Sequence, residues 1–229
     1  MVLSDRLALI YSMIPPCDIL CDIGTDHALL PAYAILNKRC KRAIACDVGK
    51  GPLNRAKQTV ERYFLQDKIE LRLGNGLEPI SRDEADVLVI AGMGGVLMTE
   101  LLLKGMDKAK QAQRILLQPM YTHEVVRPFL WENGFSVADE SLAREGDKLY
   151  QVLSVIPKPD DKAIKTDLYA VVGEKLVLKG DPLLKDWLER LIQRQTKIVT
   201  GIRSARQPGP ILEKEESLLK DMLELNRQI

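Results

Sequence analysis

A chain of 229 residues, 46% hydrophobic and 28% charged, has the composition of a globular protein and the length of one large domain or one domain with an appendage. A formal net charge of +1 excludes a uniformly basic coat for nucleic acid but leaves room for a local basic patch. No apolar run reaches the roughly 18 residues of a membrane span, which speaks against a membrane partner.

The N-terminal stretch MVLSDRLALIYSMIPP sets Asp5 and Arg6 inside its apolar pattern. It has no basic n-region, apolar core or small-residue cleavage site, so it reads as no signal peptide and the expected location is cytoplasmic. The four cysteines, Cys17, Cys21, Cys40 and Cys46, form no C-x-x-C pair. With two histidines in the chain they read as buried thiols in a reducing compartment, and no metal site is expected.

Up to about Ile156, β-rich runs alternate with helical patterns. The strands are expected at CDILCDI (17–23), RAIACD (42–47), KIELRL (68–73), DVLVIAG (86–92) and RILLQP (114–119). Their Val/Ile/Leu cores suit strands covered on both faces. Helices are expected at 28–39, 51–65, 95–105 and 123–132. This alternation predicts a parallel sheet with right-handed crossovers. GFSVADESLA and LYQVLSVI, joined by the polar turn REGDK, then predict an antiparallel hairpin at the sheet edge. An α/β, Rossmann-like, seven-stranded and mostly parallel sheet with a hairpin edge is the plan of class I methyltransferases.

The proline-bearing break from Pro157 to Lys162 marks a boundary. The expected organisation is a catalytic domain over 1–157, a linker over 158–182 and a C-terminal helical hairpin over 183–229. The first hairpin helix has an apolar stripe at 184, 188, 191, 198 and 202, interrupted by Gln195. Pro208-Gly209-Pro210 forces a turn. The second helix repeats the stripe through Ile211, Leu212, Glu215, Leu218, Leu219, Met222 and Leu225, which predicts antiparallel, coiled-coil-like packing.

In an open parallel sheet, ligands bind beyond the carboxyl ends of the strands, where strand order reverses. The five expected strand ends carry Asp22-Ile23-Gly24-Thr25-Asp26-His27, then Asp47, then Gly74-Asn75-Gly76-Leu77, then Ala91-Gly92-Met93-Gly94-Gly95, then Gln118-Pro119. Gly24 lets a ligand approach the backbone, and Asp22 can accept from an ammonium group. Asp47, 25 residues after Asp22, suits a pair of ribose hydroxyls. Asn75 can pair with an adenine edge. The first loop has one glycine where a pyrophosphate site wants three. A ligand with an adenosine end, an amino-acid end and no phosphate therefore fits better than NAD, and S-adenosyl-L-methionine is such a ligand. Structural alternatives stand beside these roles: Asp26 also suits a helix N-cap, His27 a surface position, and Gly92 to Gly95 a tight turn.

DIGTDHALLP, IAGMGG, LQP and the EGDKLYQVL hairpin together resemble the bacterial tRNA (adenine(22)-N1)-methyltransferases, from about Ser4 to Ile156 and more weakly beyond. The chain departs from that family's pattern at Leu29 (Tyr in the family), Asp47 (Glu) and Met120 (Asn). The resemblance implies S-adenosyl-L-methionine as methyl donor and N1 of an adenine in the D-arm region of tRNA as acceptor. The expected cofactor contacts are Asp22, Gly24, Asp26, His27, Asp47, Asn75, Gly76, Leu77, Ala91 and Gly92. Asp26, His27, Gly92, Met93 and Gly94 are expected at the reacting groups. The expected tRNA-binding face is Arg190, Arg194, Lys197 and Arg203, in a segment from Leu183 to Arg206 with a net excess of four positive charges. A solvated helix face is the alternative there. Lys38, Arg39, Lys41 and Arg42 precede the second strand and so read as solvated surface at the wrong edge. The expected assembly is a monomer or weak homodimer. A small-molecule methyltransferase and a non-enzymatic nucleoside sensor remain competing functions.

Overall fold

The computed structural model describes residues 1–160, 162–204 and 209–229, and the chain divides into two compact units, Met1–Lys162 and Ala163–Ile229. The first unit is built on β1 (Cys17–Ile23), β2 (Cys40–Asp47), β3 (Ile69–Leu73), β4 (Val87–Met93), β5 (Arg114–Pro119), β6 (Ser136–Glu145) and β7 (Lys148–Ile156). They form one seven-stranded sheet in the order β3-β2-β1-β4-β5-β7-β6. The first five strands pair in parallel; β7 runs antiparallel to β5, and β6 antiparallel to β7. The chain winds outward from β1 to β3, then crosses back to β4 beside β1. That reversal opens the crevice in which ligands of such sheets bind.

The unbroken apolar runs of the central strands are explained by cover on both faces. Leu20, Ala43, Ala45, Val87, Val89 and Leu116 join one buried cluster. Their neighbours Cys21, Ile23, Ile44, Cys46, Leu88, Ile90, Ile115 and Leu117 join the other. The first face is covered by α1 (Asp5–Met13), α2 (Leu29–Leu36) and α3 (Lys50–Arg62), through Ile10, Ile35 and Ala56 among others. The second is covered by α4 (Gly95–Lys104), α5 (Met106–Ala109) and α6 (Val126–Glu132), through Met98, Leu102, Ala109 and Leu130. The helix α1 is an addition to the sequence-based expectation. Asp5 sits in its first turn, Ile10 and Ile14 are fully buried, and Pro15-Pro16 stops it.

The second unit holds α7 (Asp167–Val172), α8 (Glu174–Lys179), α9 (Leu184–Arg203) and α10 (Gly209–Gln228). The stretch expected as a linker over 158–182 thus contains two short helices. Thr166 caps α7 by accepting from the Tyr169 N–H, and Gly173 and Gly180 punctuate the ends of α7 and α8. Trp187 on α9 donates to the Val172 carbonyl at 3.3 Å. The helices α9 and α10 pack together. Gln195, the polar break in the stripe, is buried and donates to the backbone and side chain of Glu215. Val199 is buried where Ile198 was expected, and Ile211 is exposed. Both Arg206 and the Pro208 half of the expected turn lie outside the described residues. Among the described residues no helix is long and apolar enough to cross a membrane.

Candidate active site

At the carboxyl ends of β1 and β4 lies a cavity of about 310 Å³. Its lining includes Asp22, Gly24, Asp26, His27, Ala91 and Gly92, all expected from the sequence, together with Arg6 of α1 and Thr25. Asp22 is 8% exposed. Burial pushes its carboxyl up to about 6; the Thr25 hydroxyl and the Arg6 charge oppose the rise, and the Asp47 charge adds to it. A buried carboxylate with its charge only partly compensated is disposed to receive a cation.

Thr25 also fixes the loop, accepting the Ala28 N–H at 3.1 Å. The helix α2 starts at Leu29, with Ala28 in the left-handed region and no side-chain cap. Asp26 is therefore no N-cap. Its carboxylate instead receives the Arg55 guanidinium from α3 and lies 3.3 Å from His27 Nε2. Gly24 has φ +80°, and a Cβ there would sit 2.0 Å from the Met93 methyl. The close approach anticipated at Gly24 is thus made by Met93, which ties the loop after β4 to the loop after β1.

Gly92 is the second special position. The β4–β5 register shifts between Ala91 and Met93, so Gly92 is a bulge, with φ +78°. Its displaced N–H donates to Gln118 Oε1 at 3.2 Å, and the same oxygen accepts from Arg6 Nη1 at 2.8 Å. Gln118 Nε2 donates to the Pro119 carbonyl at 2.9 Å. A fully buried glutamine thus fastens the IAGMGG loop to α1. Sequence reasoning marked Gln118 only as a strand end and missed Arg6 and Arg55. The signal for Arg6 was its charge, beside that of Asp5, inside the apolar pattern of the N-terminal stretch.

The remaining residues stand along the neighbouring strand ends rather than in this cavity. Asp47, at the end of β2, accepts the Gly49 N–H at 2.7 Å. Asn75 is exposed. Gly76 packs against Leu101. Leu77 is 2% exposed within the core, under Gly105, so its side chain is withdrawn from the candidate site. In the second unit, Arg190, Arg194, Lys197 and Arg203 are exposed on α9; Glu216 of α10 accepts from Arg203 at 2.7 Å. Lys38, Arg39, Lys41 and Arg42 run from the end of α2 into the start of β2, at the amino ends of the strands and so opposite the cavity, where Lys41 pairs with Asp18.

A switch-point cavity with a buried carboxylate, under a parallel sheet closed by an antiparallel hairpin, defines a methyltransferase of the class I fold. A family model described as a methyltransferase domain matches residues 3–153. The tRNA (adenine(22)-N(1))-methyltransferase of Bacillus subtilis strain 168 is 36% identical over 231 residues, covering 99% of this chain and 96% of that one. The crystal structure of the B. subtilis M1A22 tRNA methyltransferase TrmK superposes with a TM-score of 0.86 at 32% identity, covering 99% and 98% of the two chains. A putative tRNA (m1A22) methyltransferase of Streptococcus pneumoniae, in complex with S-adenosyl-L-methionine, gives 0.82 at 30% identity, covering 97% and 100%. The chain belongs to the tRNA (adenine(22)-N1)-methyltransferase family.

Proposed function

We propose that the protein transfers a methyl group from S-adenosyl-L-methionine to N1 of the adenine at position 22 of tRNA. One observation carries the cofactor assignment: the cavity sets a buried carboxylate, Asp22, near a guanidinium, Arg6, at a strand end without a three-glycine phosphate loop. That pairing suits a zwitterionic amino-acid end. Asp22 would take the ammonium and Arg6 the carboxylate, with Gly24, Ala91 and Gly92 supplying close backbone walls. Asp47 at the next strand end suits the ribose, and Asn75 beyond it the adenine.

S-adenosyl-L-methionine supplies an electrophilic methyl group on a sulfonium sulfur. The acceptor, neutral adenine N1, has an in-plane lone pair, and no proton must leave it first. The chain therefore needs no strong general base. Its contribution is orientation and fixed dipoles that favour the cationic product. Asp26 and His27, on the rim beside Arg55, are placed to accept from the adenine N6 amino group or to bind the methionine end. The N1 edge is the Watson–Crick edge, so the base must leave its stack, at a few kcal/mol. The exposed cations of α9, Arg190, Arg194 and Lys197, are the proposed source of phosphate contacts that offset this cost. In this reading residues 1–157 carry the chemistry and the helices over 183–229 carry RNA binding.

The test is methyl transfer from labelled S-adenosyl-L-methionine to unmodified bulk bacterial tRNA, followed by nucleoside analysis. Label in 1-methyladenosine, lost in Asp22→Ala and Asp47→Ala, is the expected result. Tight cofactor binding with no label in any tRNA nucleoside would remove the substrate assignment. Unchanged turnover in Asp26→Asn would remove the role of Asp26 at the target base.

A further inference from the structure

The loop leaving β5 exposes two large side chains outside the core and the cavity lining, the first of them touched by Gln118 Nε2 at its sulfur, 3.6 Å away. Met120 is 43% exposed and Tyr121 67% exposed. Their backbone is nevertheless held on both sides. The Met120 N–H donates to the Met93 carbonyl at 2.8 Å, and the Gly95 N–H donates to the Tyr121 carbonyl at 2.9 Å. Thr122, in the left-handed region, then turns the chain into the short helix at His123–Val125.

The Tyr121 ring rests on Gly94. A Cβ at Gly94 would meet Cε2 at 2.4 Å, Cζ at 2.7 Å and the hydroxyl oxygen at 3.0 Å. Gly94 is buried, so the hydroxyl end of the ring lies against a buried backbone while most of the side chain stays open to solvent. IAGMGG itself brings no aromatic side chain to the site. Gly92, two residues before Gly94, lines the cavity. Two residues of chain span at most about 7 Å, which places the seat of the ring within a base-width of the cavity rim.

We propose that Tyr121 is the platform on which the target adenine stacks after it leaves the tRNA helix, which presents its N1 edge to the cavity mouth at Gly92. The inference rests on the functional reading given above and deepens it to the base-binding subsite. Three properties support it. Unpaired bases are recognised by stacking on aromatic faces. A tyrosine fixed through its backbone and seated on a glycine loses little freedom on stacking. The exposed Met120 beside it extends the same apolar surface without a polar group that would compete for water.

The experiment compares wild type with Tyr121→Phe, Tyr121→Leu and Tyr121→Ala. Three readouts are taken: kcat/KM for unmodified tRNA, cofactor affinity by calorimetry, and fluorescence quenching of 2-aminopurine placed at the target position of the RNA. Tyr121→Leu and Tyr121→Ala are expected to lose roughly tenfold or more in kcat/KM and to lose the quench, with cofactor affinity and Tm retained. Tyr121→Phe keeps the face and is expected to rescue both the rate and the quench. Leucine behaving like wild type would overturn the proposal, as would parallel loss of cofactor binding in every variant, which would mean the ring only props the Gly94 loop. If wild type transfers no methyl group to tRNA yet quenches 2-aminopurine through Tyr121, the functional reading fails and the stacking site stands. If wild type does not quench, the stacking site fails.

Discussion

Replacing Asp22 by asparagine should make the free protein more stable at neutral pH while abolishing cofactor binding. In the folded chain the Asp22 carboxyl titrates at about 6, against an ordinary 3.8, chiefly because it is buried. The native state therefore holds a proton that the unfolded chain gives up between those values. Relative to a permanently neutral side chain, full stability is present below 3.8 and is lost as pH rises through about 6. The difference of about 2 units corresponds to ~3 kcal/mol once Asp22 is fully ionised. Asparagine keeps an acceptor for Thr25 and removes the charge, although its amide must still find a partner. A gain of about 2–3 kcal/mol at pH 7.5, or roughly 5–10 °C in Tm, is expected. The gain should shrink to ~1 kcal/mol near pH 4.5 and vanish below the unfolded value. Thermal unfolding of both proteins across that range, without cofactor, measures it. A variant no more stable than wild type at pH 7.5, or a gain independent of pH, would refute the view that Asp22 is a strained charge awaiting a cation.

The same carboxylate sets the pH dependence of binding. Affinity for S-adenosyl-L-methionine should fall about tenfold per pH unit below about 6, as Asp22 takes up its proton, and calorimetry in matched buffers would show the slope; Arg6→Ala removes a charge that favours ionised Asp22 and should move that slope to higher pH. Gly95→Ala puts a Cβ 2.1 Å from the Thr122 carbonyl oxygen, a backbone atom, whereas Gly94→Ala meets the hydroxyl end of the Tyr121 side chain at 2.4 Å, which a small turn of that side chain relieves. Gly95→Ala should therefore cost about 2–3 kcal/mol in chemical denaturation and Gly94→Ala clearly less. Arg190→Gln and Lys197→Gln should each flatten the plot of log affinity for tRNA against log salt by about 0.7–0.9 while leaving cofactor affinity unchanged, and an unchanged slope would take α9 out of the RNA interface.

The sheet was legible because its central strands are buried on both faces and so are written as continuous apolar runs ending in polar or glycine residues. The strand ends then pointed to Asp22, Asp26, His27 and Gly92 without any side-chain geometry. What stayed hidden depends on long-range placement. Arg6 stands 112 residues from its partner Gln118, and Arg55 stands 29 from Asp26; no local pattern links either pair. Glu140, on the hairpin strand β6, is 1% exposed and pairs with the equally buried Arg127 of α6 at 2.6 Å, a pairing across 13 residues that no local pattern announces. The Leu77 side chain packs into the core; a leucine after Gly-Asn-Gly fits a ligand wall and a core position equally well. The short helices α7 and α8 were missed because neither is long enough to show a helical period.

The geometry also explains why DIGTDH, IAGMGG and LQP travel together in one sequence. The glycine bulge at Gly92 displaces a backbone N–H from the sheet; Gln118 receives it, and the same oxygen receives Arg6. Met93 then reaches across to Gly24, and Met120 and Tyr121 are bonded to Met93 and Gly95 through the main chain. Three loops thus act as one fastened unit, and its parts should not be separable. In a double-mutant cycle on cofactor affinity, Arg6→Ala and Gln118→Ala should show a coupling of about 1–2 kcal/mol, as expected for a charge-assisted hydrogen bond within one network. Arg6→Lys, which keeps the charge but not the planar donor set, should preserve the electrostatic help to Asp22 while losing most of that coupling. If the two alanine variants instead add independently, Arg6 acts on the ligand as a bare charge, and the bulge at Gly92 holds its shape without it.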